Sequence, residues 1–212
     1  MLGVITMFHS KNEVIMNRYN RISFVYDWMD KMIKDEWRAD LLSKVEGEVL
    51  EVGIGTGANL AFYPHEIKSL TGVDFSEGML NYARKKKERS GSVYKIKLFH
   101  ADIQFLPFAD NSFDSIISTC VFCSVPDPVK GLKELRRVCK PQGKIYMLEH
   151  VRSENPVAGT VMDLINPLTV RLWGANINRK TLNNILLADL KIEENVDLMS
   201  TIVRKLTLCP NK

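Results

Sequence analysis

The segment Glu51-Val52-Gly53-Ile54-Gly55-Thr56-Gly57 constrains this chain more than any other. It follows a short apolar run and precedes an amphipathic one, so it reads as a strand-to-helix turn. Glycines in such a turn let the chain bend sharply and let a ligand approach the backbone. The G-x-G-x-G spacing differs from the dinucleotide pattern G-x-G-x-x-G, and Glu51 stands two residues ahead of the first glycine. A helix N-terminus attracts phosphate, but a carboxylate beside it repels phosphate and suits a ligand with an ammonium group. No Gly-Lys-Ser/Thr follows, which excludes a nucleoside triphosphate loop.

The rest of the chain alternates in the same way. Apolar runs at Glu48–Val52, Ser69–Val73, Lys95–His100, Phe113–Thr119 and Lys144–His150 read as strands. Amphipathic segments near Ala58–Tyr63, Glu77–Glu88 and Pro128–Cys139 read as the helices between them. This alternation predicts an α/β fold with crossover units and a doubly wound, mostly parallel sheet. Ahead of it, apolar residues at three and four spacings predict helix from about Asn12 to Ser43. After His150 the chain reads as irregular and apolar as far as Trp173. A helix near Lys180–Ala188 follows, then two strands, Lys191–Leu198 and Val203–Cys209. Their short connection predicts an antiparallel hairpin added to the parallel sheet. With 212 residues and no linker or repeat, the chain reads as a single domain over 1–212. Its parts are a helical segment over 1–46, a ligand-binding core over 47–150 and an acceptor-side region with closing strands over 151–212.

Two further acids belong with the glycine turn. Asp74 ends the second strand, at about the 20-residue distance where an acid accepts both ribose hydroxyls. Asp102 follows the third strand, placed to accept from an adenine amino group, with Phe75 and Ile103 available to sandwich the base. Either acid alone also suits a helix cap or a turn, and Asp74 before Ser76 is open to that reading. Together, one turn and two acids at the ends of successive strands describe a crevice for an adenosine-bearing ligand.

These motifs, in this order, resemble the class I S-adenosylmethionine-dependent methyltransferases. EVGIGTG resembles their first motif, GVDFSEGML the ribose-binding segment and ADIQFLPFADNSFDSIIS the adenine and fourth-strand segments. GLKELRRVCKPQGKIYMLEH resembles the helix-turn-strand that follows, with Gln142 where glycine is usual. RYNRISFVYDWMD resembles the N-terminal helix of quinone-biosynthesis C-methyltransferases and bacterial phospholipid N-methyltransferases. STCVFCSVPDP and MLEHV resemble the methyltransferase-like 7 group. The resemblance implies a Rossmann-like sheet of seven strands, an antiparallel strand at its C-terminal end and an N-terminal helical lid. It implies S-adenosyl-L-methionine as cofactor and S-adenosyl-L-homocysteine as product. Gly53, Gly55, Thr56, Gly57, Met79 and Thr119 join Glu51, Asp74, Phe75, Asp102 and Ile103 as implied cofactor contacts. Tyr19 and Tyr26 match the lid aromatics at the methionine end, and Tyr26 could also order the lid during turnover.

Methyl transfer from a sulfonium needs positioning and dehydration more than an enzyme nucleophile or a metal. An ammonium or thiol acceptor must still lose a proton, and His150, ending the fifth strand, is the candidate base. Glu149 and Arg152 are lesser candidates. Phe122, Val125, Met162, Leu164, Ile165, Leu168 and Trp173 are expected to wall an apolar acceptor pocket. That composition suits a small lipophilic acceptor such as a lipid amine, a thiol or a quinone-like ring. Asn176, Asn178 and Arg179 form a polar cluster beyond it, where Arg179 could meet a phosphate and Asn178 could cap a helix. Two other readings stand beside this one: a nicotinamide-dependent oxidoreductase, and a cofactor-binding subunit without activity.

Composition removes several classes. The net charge of +4 is mild and its cations are scattered, which gives nucleic acid no footprint. The run Arg84-Lys85-Lys86-Lys87 reads as a solvated helix face, with contact to anionic lipid as the alternative. Cys120-x-x-Cys123 lacks the second pair that a zinc site needs, so it reads as core or pocket lining. Four cysteines, no apolar stretch of membrane-spanning length and no signal-peptide pattern predict a cytoplasmic protein, with peripheral membrane contact as an open alternative. Oligomeric state is not legible.

Overall fold

The computed structural model describes residues 33–212. Seven strands form one sheet: β1 (Glu48–Val52), β2 (Ser69–Asp74), β3 (Lys95–His100), β4 (Phe113–Thr119), β5 (Cys139–His150), β6 (Leu190–Met199) and β7 (Val203–Pro210). Their order is β3-β2-β1-β4-β5-β7-β6. The first five run parallel, and β7 enters antiparallel between β5 and β6. The α/β, doubly wound sheet expected from the sequence is therefore present, closed by its antiparallel strand. Chain order reverses between β1 and β4, which opens a crevice at their carboxyl ends, where such sheets collect ligands.

The helices are α1 (Asp35–Leu42), α2 (Glu77–Arg89), α3 (Pro128–Val138), α4 (Pro156–Trp173) and α5 (Thr181–Leu187). Central strands are covered on both sides, so β1 and β4 are buried nearly end to end, including their polar Glu51, Ser115 and Ser118. On one face Leu50, Ile116, Ile145, Met147, Leu206 and Leu208 pack with Leu132 and Leu135 of α3 and Ile185 of α5. On the other, Val49, Leu70, Ile117 and Leu148 pack with Leu41 and Leu42 of α1 and Leu80 of α2. Alternate burial along β6 marks it as an edge, and its Glu193 and Glu194 discourage further strand pairing.

Local chemistry sets the ends of the elements. Asp127 caps α3 by accepting from the Lys130 amide, with Pro128 in the first turn. Ser76 caps α2 in the same way through the Met79 amide. Three expectations are corrected. Helix does not run unbroken to Ser43, because Lys34 is extended (ψ 140°) and α1 starts at Asp35, with two acids in its first turn. The helix expected over Ala58–Tyr63 is a short 3₁₀ turn over Ala58–Ala61. Pro64 disfavours helical backbone at Tyr63, which stops that turn early. The stretch read as irregular before Trp173 is the 18-residue α4, capped by Asn155, which accepts from the Val157 and Ala158 amides. Gly174, at φ +75°, ends it.

Candidate active site

The glycine turn lies at the head of β1, beside the end of β4. All three of its glycines have positive φ. A Cβ on Gly53 would stand 2.4 Å from Val121 Cγ2, so that glycine is fixed by protein packing. Among the described residues, a Cβ on Gly55 would meet nothing nearer than the Gly53 carbonyl oxygen at 3.9 Å. The chain therefore leaves space above Gly55, as a loop must where a ligand comes close to the backbone.

Asp74 ties this loop to β2. Its Oδ2 accepts from the Gly55 amide and its Oδ1 from the Ser76 amide, both at 2.8 Å. The turn role and the ligand role do not compete, because a carboxylate offers about four lone-pair positions and the two amides occupy two. Burial pushes the Asp74 carboxyl above its ordinary range, against the opposing donations of Ser76 and Gly55. Asp102 follows β3 and accepts from the Gln104 amide at 2.9 Å and from the Gln104 side chain at 3.0 Å. Gln104 in turn accepts from the Asp127 amide, joining the β3 end to the start of α3. Phe75 is partly exposed beside His100, whose Nε2 lies 2.8 Å from the Phe75 carbonyl. Ile103 and Met79 are placed differently: both side chains are buried, and Ile103 belongs to the α3-side core.

Glu51 is buried behind the loop rather than open at its rim. Its Oε1 accepts from Asn59 Nδ2 at 2.7 Å and its Oε2 from the Tyr63 hydroxyl at 3.0 Å. Asn59 also donates to Thr119 Oγ1 at 3.0 Å and accepts from the Arg38 guanidinium at 2.7 Å. This chain of contacts brings β1, β4, α1 and the 3₁₀ turn to one point. The sequence reading missed Asn59, Tyr63 and Arg38; no motif marks them, and only their proximity to Glu51 gives them a role. Thr56 Oγ1 stands 3.5 Å from Lys86 Nζ on α2. Tyr19 and Tyr26 lie outside the described residues.

Across the crevice, β5 ends with Glu149 and His150. The two side chains point to opposite faces of the sheet. Glu149 is fully buried and accepts from the Ser118 hydroxyl at 2.6 Å and from the Val121 and Phe122 amides at 3.2 Å. Burial pushes its carboxyl up to about 7, against those donors. It thus fastens the loop after β4 from below. His150 Nδ1 is buried without a hydrogen-bond partner among the described residues. Burial holds the imidazole below its usual pKa, so the ring is neutral at neutral pH.

The polar cluster after α4 serves the same loop. Arg179 donates to the carbonyls of Phe122 at 3.1 Å and Val125 at 2.7 Å, and Asn176 donates to that of Cys123 at 3.1 Å. Asn178 pairs with Asp163 instead of capping α5. Phe122, Val125 and Met162 are buried, whereas Leu164, Ile165 and Leu168 face outward from α4. The reason is that α4 turns polar side chains inward: Asn166 accepts from the Ile177 amide and Thr169 donates to the Ala175 carbonyl. Cys120 and Cys123 are free thiols, and burial pushes both up, Cys123 to about 11. No cluster able to hold a metal occurs among the described residues.

Known proteins resemble this chain in sequence and in fold. A family model described as a methyltransferase domain matches residues 50–147. The chain is 33% identical over 150 residues to a phosphatidylethanolamine N-methyltransferase of Cereibacter sphaeroides, spanning 69% of this chain and 73% of that one. It is 34% identical over 176 residues to a demethylmenaquinone methyltransferase of Staphylococcus aureus, spanning 78% and 72%. Among solved structures, a SAM-dependent methyltransferase from Aquifex aeolicus superposes with a TM-score of 0.61 at 18% identity, covering 87% of this chain and 97% of that one. Geranyl diphosphate methyltransferase in complex with SAM gives 0.67 at 13% identity, covering 82% and 83%. At those identities the structures speak for the fold alone.

Proposed function

This chain belongs to the S-adenosylmethionine-dependent methyltransferases, and from that membership we propose that it methylates a small lipophilic acceptor at the crevice between β1 and β4. S-adenosylmethionine supplies a methyl group activated on a sulfonium, with a neutral thioether as leaving group.

The open space above Gly55, next to the remaining lone pairs of Asp74, is the observation that carries the placement. Gly53, Gly55, Thr56 and Gly57 would line the donor, Asp74 would accept from the ribose, and Asp102 with Phe75 would meet the adenine. Glu51, held by Asn59 and Tyr63, would supply negative potential for the ammonium group. Thr119 would help shape the methionine end through Asn59, while Met79 and Ile103 would support the adenine side from the core. Tyr19 and Tyr26 would close the site from a lid within residues 1–46, so that 1–212 works as one domain.

The neutral His150 would take the acceptor's proton on a ring nitrogen, since burial keeps the imidazole unprotonated and able to accept. Two observations support a lipophilic acceptor. The relatives named above carry the names of molecules with long apolar tails. In addition, α4 presents Val157, Val161, Leu164, Ile165, Leu168 and Leu172 to solvent along one side, with Leu164 80% exposed. Monomeric soluble surfaces rarely carry so continuous an apolar stripe without a use, which also favours contact with a lipid surface. No helix among the described residues is long and apolar enough to cross a membrane.

The test is incubation with methyl-tritiated S-adenosylmethionine and a panel of amine, thiol and quinol acceptors, each in short-chain and long-chain form. Label should enter the long-chain members of one class. Label confined to water-soluble members, or uptake by none, would overturn the acceptor reading.

A further inference from the structure

A second concave site lies outside the crevice. It is a cavity of about 200 Å³ lined by Val151, Arg152, Ser153, Glu154, Arg179, Lys180, Thr181, Leu182, Asn183 and Arg204. We propose that it binds a phosphate group, as a phosphate monoester or diester, between the end of β5, the head of α5 and Arg204.

Charge is the first argument. Four cations and one carboxylate line the cavity. Arg152 is held by Asp163 at 2.8 Å, and Arg204 by Glu154 and Asp197 at 3.1 Å each. Arg179 and Lys180 have no carboxylate within ion-pair distance among the described residues. Arg179 is partly buried, and among the described residues its Nε and Nη2 donate to the backbone carbonyls of Phe122, Cys123 and Val125. Burial holds Arg179 below its ordinary pKa, and the Asp127 and Glu149 carboxyls oppose that shift from beyond ion-pair distance. Lys180 likewise acts on Asp163 without pairing with it, so an incoming anion would give these two cations the direct ion pair they lack among the described residues.

Unpaired donors are the second and independent argument. Thr181 is 1% exposed, and its hydroxyl has no hydrogen-bond partner among the described residues. The Arg204 side chain is 6% exposed; its Nη1 donates to Asn195 at 3.1 Å, but its Nε stands 3.1 Å from Asp197 without the alignment of a hydrogen bond. Native proteins rarely leave such groups unsatisfied, because a buried donor without an acceptor has lost its water and gained nothing in return. Two cations without ion pairs and a buried hydroxyl, lining one small cavity, match a ligand with several charged acceptor oxygens. A single carboxylate would satisfy fewer of them.

The site is separate from the methyl-donor crevice. Arg204 shares its face of β7 with Leu206 and Leu208, which pack on the side of α3 and α5. His150 lies on the opposite face of the neighbouring strand. The proposal therefore does not rest on the identity of the methyl acceptor.

The full chain, without S-adenosylmethionine, is titrated calorimetrically with inorganic phosphate and with glycerol 3-phosphate. It is also sedimented with vesicles of phosphatidylglycerol in phosphatidylcholine. Lys180→Gln changes an exposed side chain and is safe for folding; Thr181→Val keeps the side-chain volume. Each should weaken binding on the order of tenfold, as loss of one charge-assisted contact does. Lys85→Gln, on the basic run of α2, should leave it unchanged. Saturable binding of either soluble phosphate with this pattern identifies a small phosphate ligand. Binding to the vesicles alone, with the same pattern, identifies a lipid headgroup. Absence of binding in every arm, or equal weakening by Lys85→Gln, would overturn the proposal.

Discussion

Replacing Gly55 and Gly53 separately by alanine should divide ligand contact from folding within one loop. Both residues have left-handed backbone, φ +57° and φ +63°. An alanine there costs roughly 1–2 kcal/mol, less a few tenths to about 1 kcal/mol gained by restricting the unfolded chain. At Gly55 nothing is added to this, because among the described residues the new methyl meets only the Gly53 carbonyl at 3.9 Å. At Gly53 the methyl arrives 2.4 Å from Val121 Cγ2, and overpacking adds about 1–3 kcal/mol. Urea unfolding should therefore find Gly55→Ala about 1 kcal/mol less stable than the parent, and Gly53→Ala about 2–4 kcal/mol less stable. Affinity for S-adenosylhomocysteine, measured by calorimetry on the folded variants, should fall on the order of tenfold or more in Gly55→Ala, whose methyl occupies the ligand's approach. Parental affinity in Gly55→Ala, or equal destabilisation by the two changes, would refute the reasoning.

Other consequences follow from the buried groups. The raised Glu149 carboxyl favours the folded state fully below its unfolded pKa, and that contribution is lost as pH rises toward about 7. Unfolding at a series of pH values should show Glu149→Gln gaining on the parent by up to ~3 kcal/mol between pH 4.5 and 7.5; parallel curves would contradict this. His150→Ala should slow turnover about a hundredfold with cofactor affinity unchanged, the expected size for a lost general base. The parent's rate should fall only well into acid, since burial lowers the His150 pKa; an unchanged rate in the variant removes His150 from the chemistry. Tyr63→Phe removes one donor to the buried Glu51 carboxylate and should cost about 1–3 kcal/mol in urea unfolding, and stability equal to the parent would show that the contact carries nothing.

The sheet was legible because its strands are short, apolar and punctuated, and because parallel strands buried on both faces leave that signature. The glycine turn and Asp74 were legible for a related reason: close approach of backbone and ligand restricts residue type locally. What escaped depends on distance in sequence. Arg38, Asn59 and Tyr63 meet Glu51 only after α1 and the 3₁₀ turn have packed, and no spacing encodes that meeting. Helix α4 escaped for the opposite reason. Its local signals were present in Asn155-Pro156 and Gly174, but Gly159, Pro167 and several β-branched residues obscured the period. Its apolar side faces solvent while Asn166 and Thr169 face inward, so the usual rule for reading a core misassigned Leu164, Ile165 and Leu168.

Methyl transfer at this crevice requires the adenosine ligand to lie at the ends of β1, β2 and β3. Amide shifts in a ¹⁵N-labelled sample titrated with S-adenosylhomocysteine address that placement without changing a residue. The amides of Gly53, Gly55, Phe75 and Ile103 should move together and saturate with one stoichiometric ligand, while those of Lys191 to Val196 on β6 stay still. Saturation with the crevice amides unmoved, or with the largest shifts elsewhere, would contradict it.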